Sequence, residues 1–205
     1  MGLRSSLIFR LLKVLTYQRP SSVGGKVLYL TFDDGPEPEI TEFVIEELAR
    51  HNCKATFFCC GENVVKFPDL VQCLRDEGHL VANHTFSHIN GLHTRSDEYC
   101  HDVEKANTLI NSVYFRPPWG ALSLRTYLRL KHTYKIVLWD VVSNDTCKGP
   151  IDVCQEVDRM KSELSPGKII LFHFSRQHSE HTKLLLPRFM NMALQEGYSF
   201  SIISK

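Results

Sequence analysis

The chain has almost no excess of either charge: 24 Lys and Arg stand against 23 Asp and Glu, a formal net charge of +1 over 205 residues. Without a basic surplus there is no global electrostatic attraction to nucleic acid, so a neutral ligand is the easier expectation. No apolar run approaches the ~20 residues of a membrane span, because Leu7-Ile8-Phe9 and Leu11-Leu12 are interrupted by Arg10 and Lys13. Those charges, followed by Tyr17-Gln18-Arg19-Pro20, also make a poor cleavable export signal. Residues 1–25 read instead as a basic amphipathic segment. Either residues 1–20 make peripheral contact with a membrane surface, or the segment packs on the domain as a terminal helix. The seven cysteines include no Cys-x-x-Cys pair, and several sit in apolar contexts, such as Cys59-Cys60 after Phe57-Phe58. That pattern excludes a disulfide framework and points to reduced core residues in a reducing, cytoplasmic compartment. Repeats, low-complexity tracts and linkers are missing after residue 25, and 43% hydrophobic content suffices for one core, so residues 26–205 read as a single domain.

What is present is an alternation of strand and helix patterns. Apolar strand-like runs occupy 26–32, 55–60, 80–83, 114–116, 135–142, 169–174 and 198–203, and helical patterns occupy 41–52, 63–78, 96–113, 123–131, 152–164 and 182–196. Seven strands separated by helices demand parallel pairing through right-handed crossovers, which suggests an α/β fold of closed or nearly closed barrel form. In such folds ligands bind at the C-terminal ends of the strands.

Several of those ends carry reactive side chains. Thr31-Phe32-Asp33-Asp34-Gly35-Pro36 places two adjacent carboxylates where the first strand runs into a Gly-Pro break. A hairpin turn is the competing reading of Asp-Gly, but the following element has a helical pattern. His84-Thr85-Phe86-Ser87-His88 sets two imidazoles four positions apart, able to reach one point from a helical turn or a tight loop. With Asp34, His84 and His88 make a two-histidine, one-carboxylate set for a divalent metal. Zinc suits these donors best, with cobalt, nickel or iron as substitutes. In Phe115-Arg116-Pro117-Pro118-Trp119-Gly120, two prolines stiffen the chain. Either the Trp119 amide is left free to stabilise an oxyanion, or the segment is a turn in which Trp119 shields the core and Arg116 pairs with a carboxylate. His173, alone in the apolar strand 169–174, is either a satisfied core residue or an acid catalyst, with Asp145 as its candidate partner.

Taken in order over residues 26–203, TFDDGP, HTFSH, RPPWG, the Trp139 to Asp145 segment and LFH at 171–173 resemble the five motifs of the polysaccharide deacetylases, carbohydrate esterase family 4. The resemblance implies a distorted (β/α) barrel of seven or eight parallel strands in a single domain. It implies a metal-dependent hydrolase that removes N-acetyl groups from amino sugars in a polysaccharide or glycoconjugate. By position, Asp33 becomes the general base, Asp34, His84 and His88 the metal ligands, and His173 the general acid. Arg116 would orient Asp33, Asp145 would tune His173, and the Trp119 amide would help hold the oxyanion. The fourth motif departs from its usual Asp-x-x-Asp-Trp form: Val142 stands at the first acid and Thr146 at the tryptophan. Two alternatives follow, a deacylase of a lipid-linked sugar at a membrane surface and a non-catalytic sugar-binding protein with a degraded site.

Overall fold

The computed structural model describes residues 25–203, so the reading of residues 1–20 as a peripheral membrane segment lies outside the described residues. Strand β1 (Val27–Asp33) is central. On one side it pairs in parallel with β2 (Thr56–Cys59), and β2 pairs in parallel with β3 (Leu80–Asn83). On the other side it pairs in parallel with β7 (Ile169–His173). The ladder extends from β3 through β4 (Tyr114–Phe115) to β5 (Lys135–Ile136), and from β7 to β6 (Val141–Val142). A short β8 (Ser199–Phe200) pairs with Val27 and Leu28 at the foot of β1. Successive side chains of a strand point to opposite faces, and here both faces are covered. Leu28, Leu30 and Phe32 enter one apolar cluster while Tyr29, with Phe58 and Leu171, enters another. Burial on both faces explains why the strands read as continuous apolar runs.

The run 135–142, expected as one strand, is divided into β5 and β6. Its early part bonds to β4, through Val137 N–H to the Phe115 carbonyl at 2.8 Å, and its later part bonds to β7, through Asp140 N–H to the Ile169 carbonyl at 2.8 Å. The chain changes partner across residues 137–140, and that crossing joins the two ends of the curled sheet.

The helices cover the sheet: α1 (Ile40–Arg50), α2 (Gly61–Lys66), α3 (Pro68–Asp76), α4 (Ser96–Ile110), α5 (Leu124–Leu130), α6 (Val153–Ser162) and α7 (Ser179–Gln195). The helix expected over 63–78 is two helices, because Phe67 leaves the helical region at φ −133°, ψ 58° and Pro68 opens the next one. Proline disfavours the helical conformation of the residue before it. The long helix expected to reach residue 113 stops at Ile110, where Asn111 adopts the left-handed conformation at φ 53°, a common helix terminator.

The Asp33-Asp34 turn rests on aromatic packing. Phe32 stacks on Phe57 with centroids 4.9 Å apart, and Phe174 packs edge-on to both. Gly35 lies against the Phe174 ring, where an added Cβ would fall 2.5 Å from ring carbons. Overpacking of this kind typically costs about 1–3 kcal/mol. Gly35→Ala is therefore expected to lower the unfolding free energy by that amount, read as a lower urea midpoint at unchanged m, and to cost less when Phe174→Ala has removed the ring. Equal penalties in the two backgrounds would refute this account of Gly35.

Candidate active site

The first carboxylate pair is split by the end of β1. Asp33 is the last residue in the ladder, buried, and registered against Phe58 on one side and His173 on the other. Asp34 has φ 84°, which residues other than glycine seldom adopt. Its carbonyl accepts a 2.8 Å bond from Asn63 Nδ2, so the reversal is held in place. Consecutive aspartates thus face different partners.

The histidine pair lies on a loop after β3, not on a helix. Asn83 Oδ1 accepts from the Thr85 amide at 2.8 Å, and Asp102 of α4 accepts from the Phe86 and Ser87 amides and the Ser87 hydroxyl. Thr85 and His88 take positive φ of 65° and 52°. The folded loop brings His84 Nε2 to 3.3 Å and His88 Nε2 to 3.1 Å from Asp34 Oδ1. His84 Nδ1 lies 2.8 Å from the Arg116 carbonyl. A carbonyl accepts only from N–H, so Nδ1 carries a proton, and Nε2 is the nitrogen that would meet a metal. Two imidazole nitrogens and one carboxylate oxygen, all within 4.8 Å of one another, fit a divalent first-row cation with coordination positions to spare.

Arg116 is fully buried behind this cluster. Its Nη1 donates to Asp33 Oδ1 at 2.7 Å and lies 2.9 Å from Thr31 Oγ1. Nε and Nη2 reach the Val137 and Leu138 carbonyls at 3.2 and 3.4 Å, on the segment that crosses the seam of the sheet. The guanidinium sits 4.0 Å over the Phe58 ring. Burial lowers its pKa and Asp33 opposes that shift; the group remains a cation. Asp33 Oδ2 lies 3.9 Å from His84 Nε2.

Across the cavity, His173 Nδ1 lies 2.8 Å from Asp145 Oδ1, and the His173 amide donates to Asp145 Oδ2 at 2.7 Å. The Thr182 hydroxyl lies 3.0 Å from the same Oδ2. Burial disfavours the imidazolium, but Asp145 outweighs it by charge and hydrogen bond, and Asp34 and Asp33 add to that, so the His173 pKa rises from 6.5 to about 9. Asp145, also buried, is held below the usual carboxylate range: its burial is outweighed by His173.

Trp119 occupies a short turn closed by the Gly120 and Ala121 amides, so neither of those bonds uses its own N–H. Its φ is 55°, and its indole does not shield the core: it is 47% exposed with its centroid 4.4 Å from that of His88. Asp33, Asp34, His84, His88, Trp119 and His173 line one cavity of about 740 Å³, and Val142 and Thr146 line it too. Arg116 and Asp145 stand behind it. Asn83, Asp102 and Thr182, which hold the histidine loop and Asp145, were not among the expected site residues. No local pattern marks Asp102 and Thr182, which act through partners distant in the chain, whereas Asn83 accepts from the amide only two residues on.

Fold and cavity together define a parallel β/α barrel with an Asp-His-His cluster at the C-terminal lip of its strands. The profile described as polysaccharide deacetylase matches residues 21–137, and the chain belongs to that family. A peptidoglycan-N-acetylglucosamine deacetylase of Bacillus cereus is 37% identical over 152 residues, 70% of this chain and 54% of that one, so the chain spans about half its length. A chitooligosaccharide deacetylase of Rhizobium leguminosarum bv. trifolii is 34% identical over 71% of this chain and 70% of its own. A crystal structure of a peptidoglycan N-acetylglucosamine deacetylase in complex with 4-naphthalen-1-yl-N-oxidanyl-benzamide superimposes with TM-score 0.83 at 30% identity, covering 91% of this chain and 89% of that one.

Because the folded pKa of His173 lies above 6.5, its contribution to stability is complete below pH 6.5 and is lost as pH rises through about 9. In metal-stripped protein the His173 ring resonance is expected to titrate near 9, and in Asp145→Asn to fall back toward 6.5. An unmoved titration in the variant would show that Asp145 is not the cause.

Proposed function

We propose that this protein is a metal-dependent hydrolase that removes N-acetyl groups from N-acetylated amino sugars in a polysaccharide or glycoconjugate. The observation that carries the reading is the placement of Asp33 and His173 at paired positions of β1 and β7, facing one cavity beside the Asp34, His84 and His88 cluster. Asp33, aligned by Arg116, accepts the proton of the attacking water. His173, kept protonated by Asp145, delivers a proton to the departing nitrogen. General acid and base groups each contribute roughly 10²–10⁴-fold. Asp34, His84 and His88 would hold a divalent cation, which would supply Lewis acidity and lower the pKa of water. The Trp119 N–H, on its strained turn beside His88, is assigned to the oxyanion. The products are a free amine and acetate. The names of the peptidoglycan and chitooligosaccharide deacetylases to which the chain is similar support the substrate class. The reading as a degraded sugar-binding site has less support, because Val142 and Thr146 line the cavity without displacing any of the acid, base or ligand residues.

Asp33→Asn is expected to lower kcat for acetate release by roughly 10²–10⁴-fold while metal content, measured by elemental analysis, stays at the wild-type level. Full activity in that variant would sink the assignment of the base. His88→Ala should instead lose the metal and the activity together, and a chelator should reproduce the loss in the wild type. Chelator-resistant acetate release would overturn metal dependence.

A further inference from the structure

The two imidazoles of the cluster are held in different ways. His84 is buried, and its Nδ1 donates to the Arg116 carbonyl at 2.8 Å. His88 has φ 52° and a side chain that is 32% exposed. Among the described residues its polar and ring contacts are Asp34, which faces Nε2, and the rings of Trp119 and His84; no hydrogen bond to its Nδ1 is among them. A ligating histidine ordinarily has its second ring nitrogen tied to a carbonyl, a carboxylate or water, and that tie fixes how the ring is turned. The His88 ring has to be fixed by other means.

The Trp119 indole stands where it can do this. Its centroid is 4.4 Å from that of His88 with the rings tilted by 59°, nearer than the His84 ring at 5.2 Å. Aromatic pairs favour tilted over face-to-face arrangements. An indole this exposed is not placed by burial in the core. Its own position is braced: Pro117 and Pro118 precede it, and the turn is closed by the Gly120 amide on the Pro117 carbonyl at 2.9 Å and the Ala121 amide on the Pro118 carbonyl at 3.0 Å. The chain after His88 is fastened to the same turn, since the Ser123 amide donates to the Gly91 carbonyl at 3.2 Å and a Cβ added to Gly91 would strike the Ala121 carbonyl oxygen. Residues 116–119 thus serve both histidines, one through a carbonyl and the other through a ring. Coordination draws charge from an imidazole, and a more cationic ring is attracted more strongly to an indole. The contact therefore favours the metal-bound state.

We propose that the Trp119 side chain is a positioning residue for His88, and through it sets the affinity of the Asp34, His84 and His88 cluster for a divalent cation. This role rests on the reading of the cluster as a metal site, and it is separate from that of the Trp119 amide, which every side-chain substitution leaves in place. The test measures zinc dissociation constants on metal-stripped protein, by competition with a chromogenic chelator, for the wild type, Trp119→Ala and Trp119→Phe. Outer contacts of ligating histidines are typically worth about 10–100-fold in metal affinity. Trp119→Ala should weaken zinc binding by about tenfold, equivalent to about 1.4 kcal/mol, and Trp119→Phe, which keeps a ring, should restore most of the loss. In the metal-free protein the His88 ring resonances should move in Trp119→Ala, as the ring current of the indole is removed, while the His84 Nδ1–H resonance stays in place. Equal zinc affinity in the wild type and Trp119→Ala would overturn the proposal, as would a loss that Trp119→Phe does not repair. A raised KM for acetate release at unchanged zinc affinity also overturns it, because the indole would then serve the substrate alone. A wild type that binds no zinc removes the metal reading itself, and the positioning role with it.

Discussion

The buried cation of Arg116 is the interaction on which both the barrel and its site depend. Its backbone amide bonds to the Asn83 carbonyl at the end of β3, its carbonyl receives His84 Nδ1, and its guanidinium holds Asp33. The remaining guanidinium nitrogens reach the Val137 and Leu138 carbonyls, where the chain has left β4 and has yet to join β7. A parallel sheet that closes by changing partners leaves carbonyls without a ladder at the crossing, and buried carbonyls need donors. A planar fork of donors satisfies several at once, which the point charge of lysine cannot. Breaking a buried ion pair by removing one partner typically costs about 3–5 kcal/mol, so here the geometry of Asp33 and the closure of the sheet are held by one group.

The strand ends are shaped by backbone that the core must hold against its preference. Asp34, Thr85, His88 and Trp119 all have positive φ, and all lie in or beside the cluster. Conformations of this kind cost of order 1–3 kcal/mol each and persist only where surrounding contacts outweigh them. Those contacts are visible: Asn63 on the Asp34 carbonyl, Asn83 and Asp102 on the histidine loop, and the Phe32, Phe57 and Phe174 stack beneath the first turn. Gly91 adds a further tie, bridging to Leu122 and accepting from the Ser123 amide, so the segment after His88 is fastened to the segment after Trp119. The ligand geometry is therefore set before any ligand arrives.

The reading from sequence succeeded where short-range chemistry dominates. The strand 80–83 ends where expected because the apolar run and the following histidine loop are local features. Ser123 and Asp152, at the edges of expected helices, proved to be caps that accept from the Thr126 and Gln155 amides. Where partners distant in sequence decide the outcome, local pattern was not enough. Residues 135–142 are uniform in β propensity, and only their neighbours in space divide them into two strands. Asp102 sits on a helix that reads as polar-faced, and nothing near it announces that it fastens a loop that begins eighteen positions earlier, at His84. The His-x-x-x-His spacing allowed helix or loop, and the choice was made by Asn83 and Asp102. The two aspartates of the first motif were separable by the alternation of side chains along a strand, but which one met an arginine depended on residue 116.

The electrostatics of the site follow from which carboxylate each cation has claimed. Arg116 is bound to Asp33 and His173 to Asp145, and these two pairs are close to neutral. Asp34 has no such cation of its own; it faces the two histidine rings, and it is held well below the usual carboxylate range, with burial opposed by hydrogen bonds to His84 and His88 and then by the charge of His173. An anionic oxygen flanked by two imidazoles, between two neutral pairs, favours an added positive charge. A cation placed there cancels the support that Asp34 gives to the His173 imidazolium, while the contact with Asp145 is untouched. His173 is then tuned chiefly by Asp145, through its Nδ1. That division lets one cavity carry the proton acceptor and the proton donor proposed above, Asp33 and His173, at neighbouring strand ends without their neutralising each other.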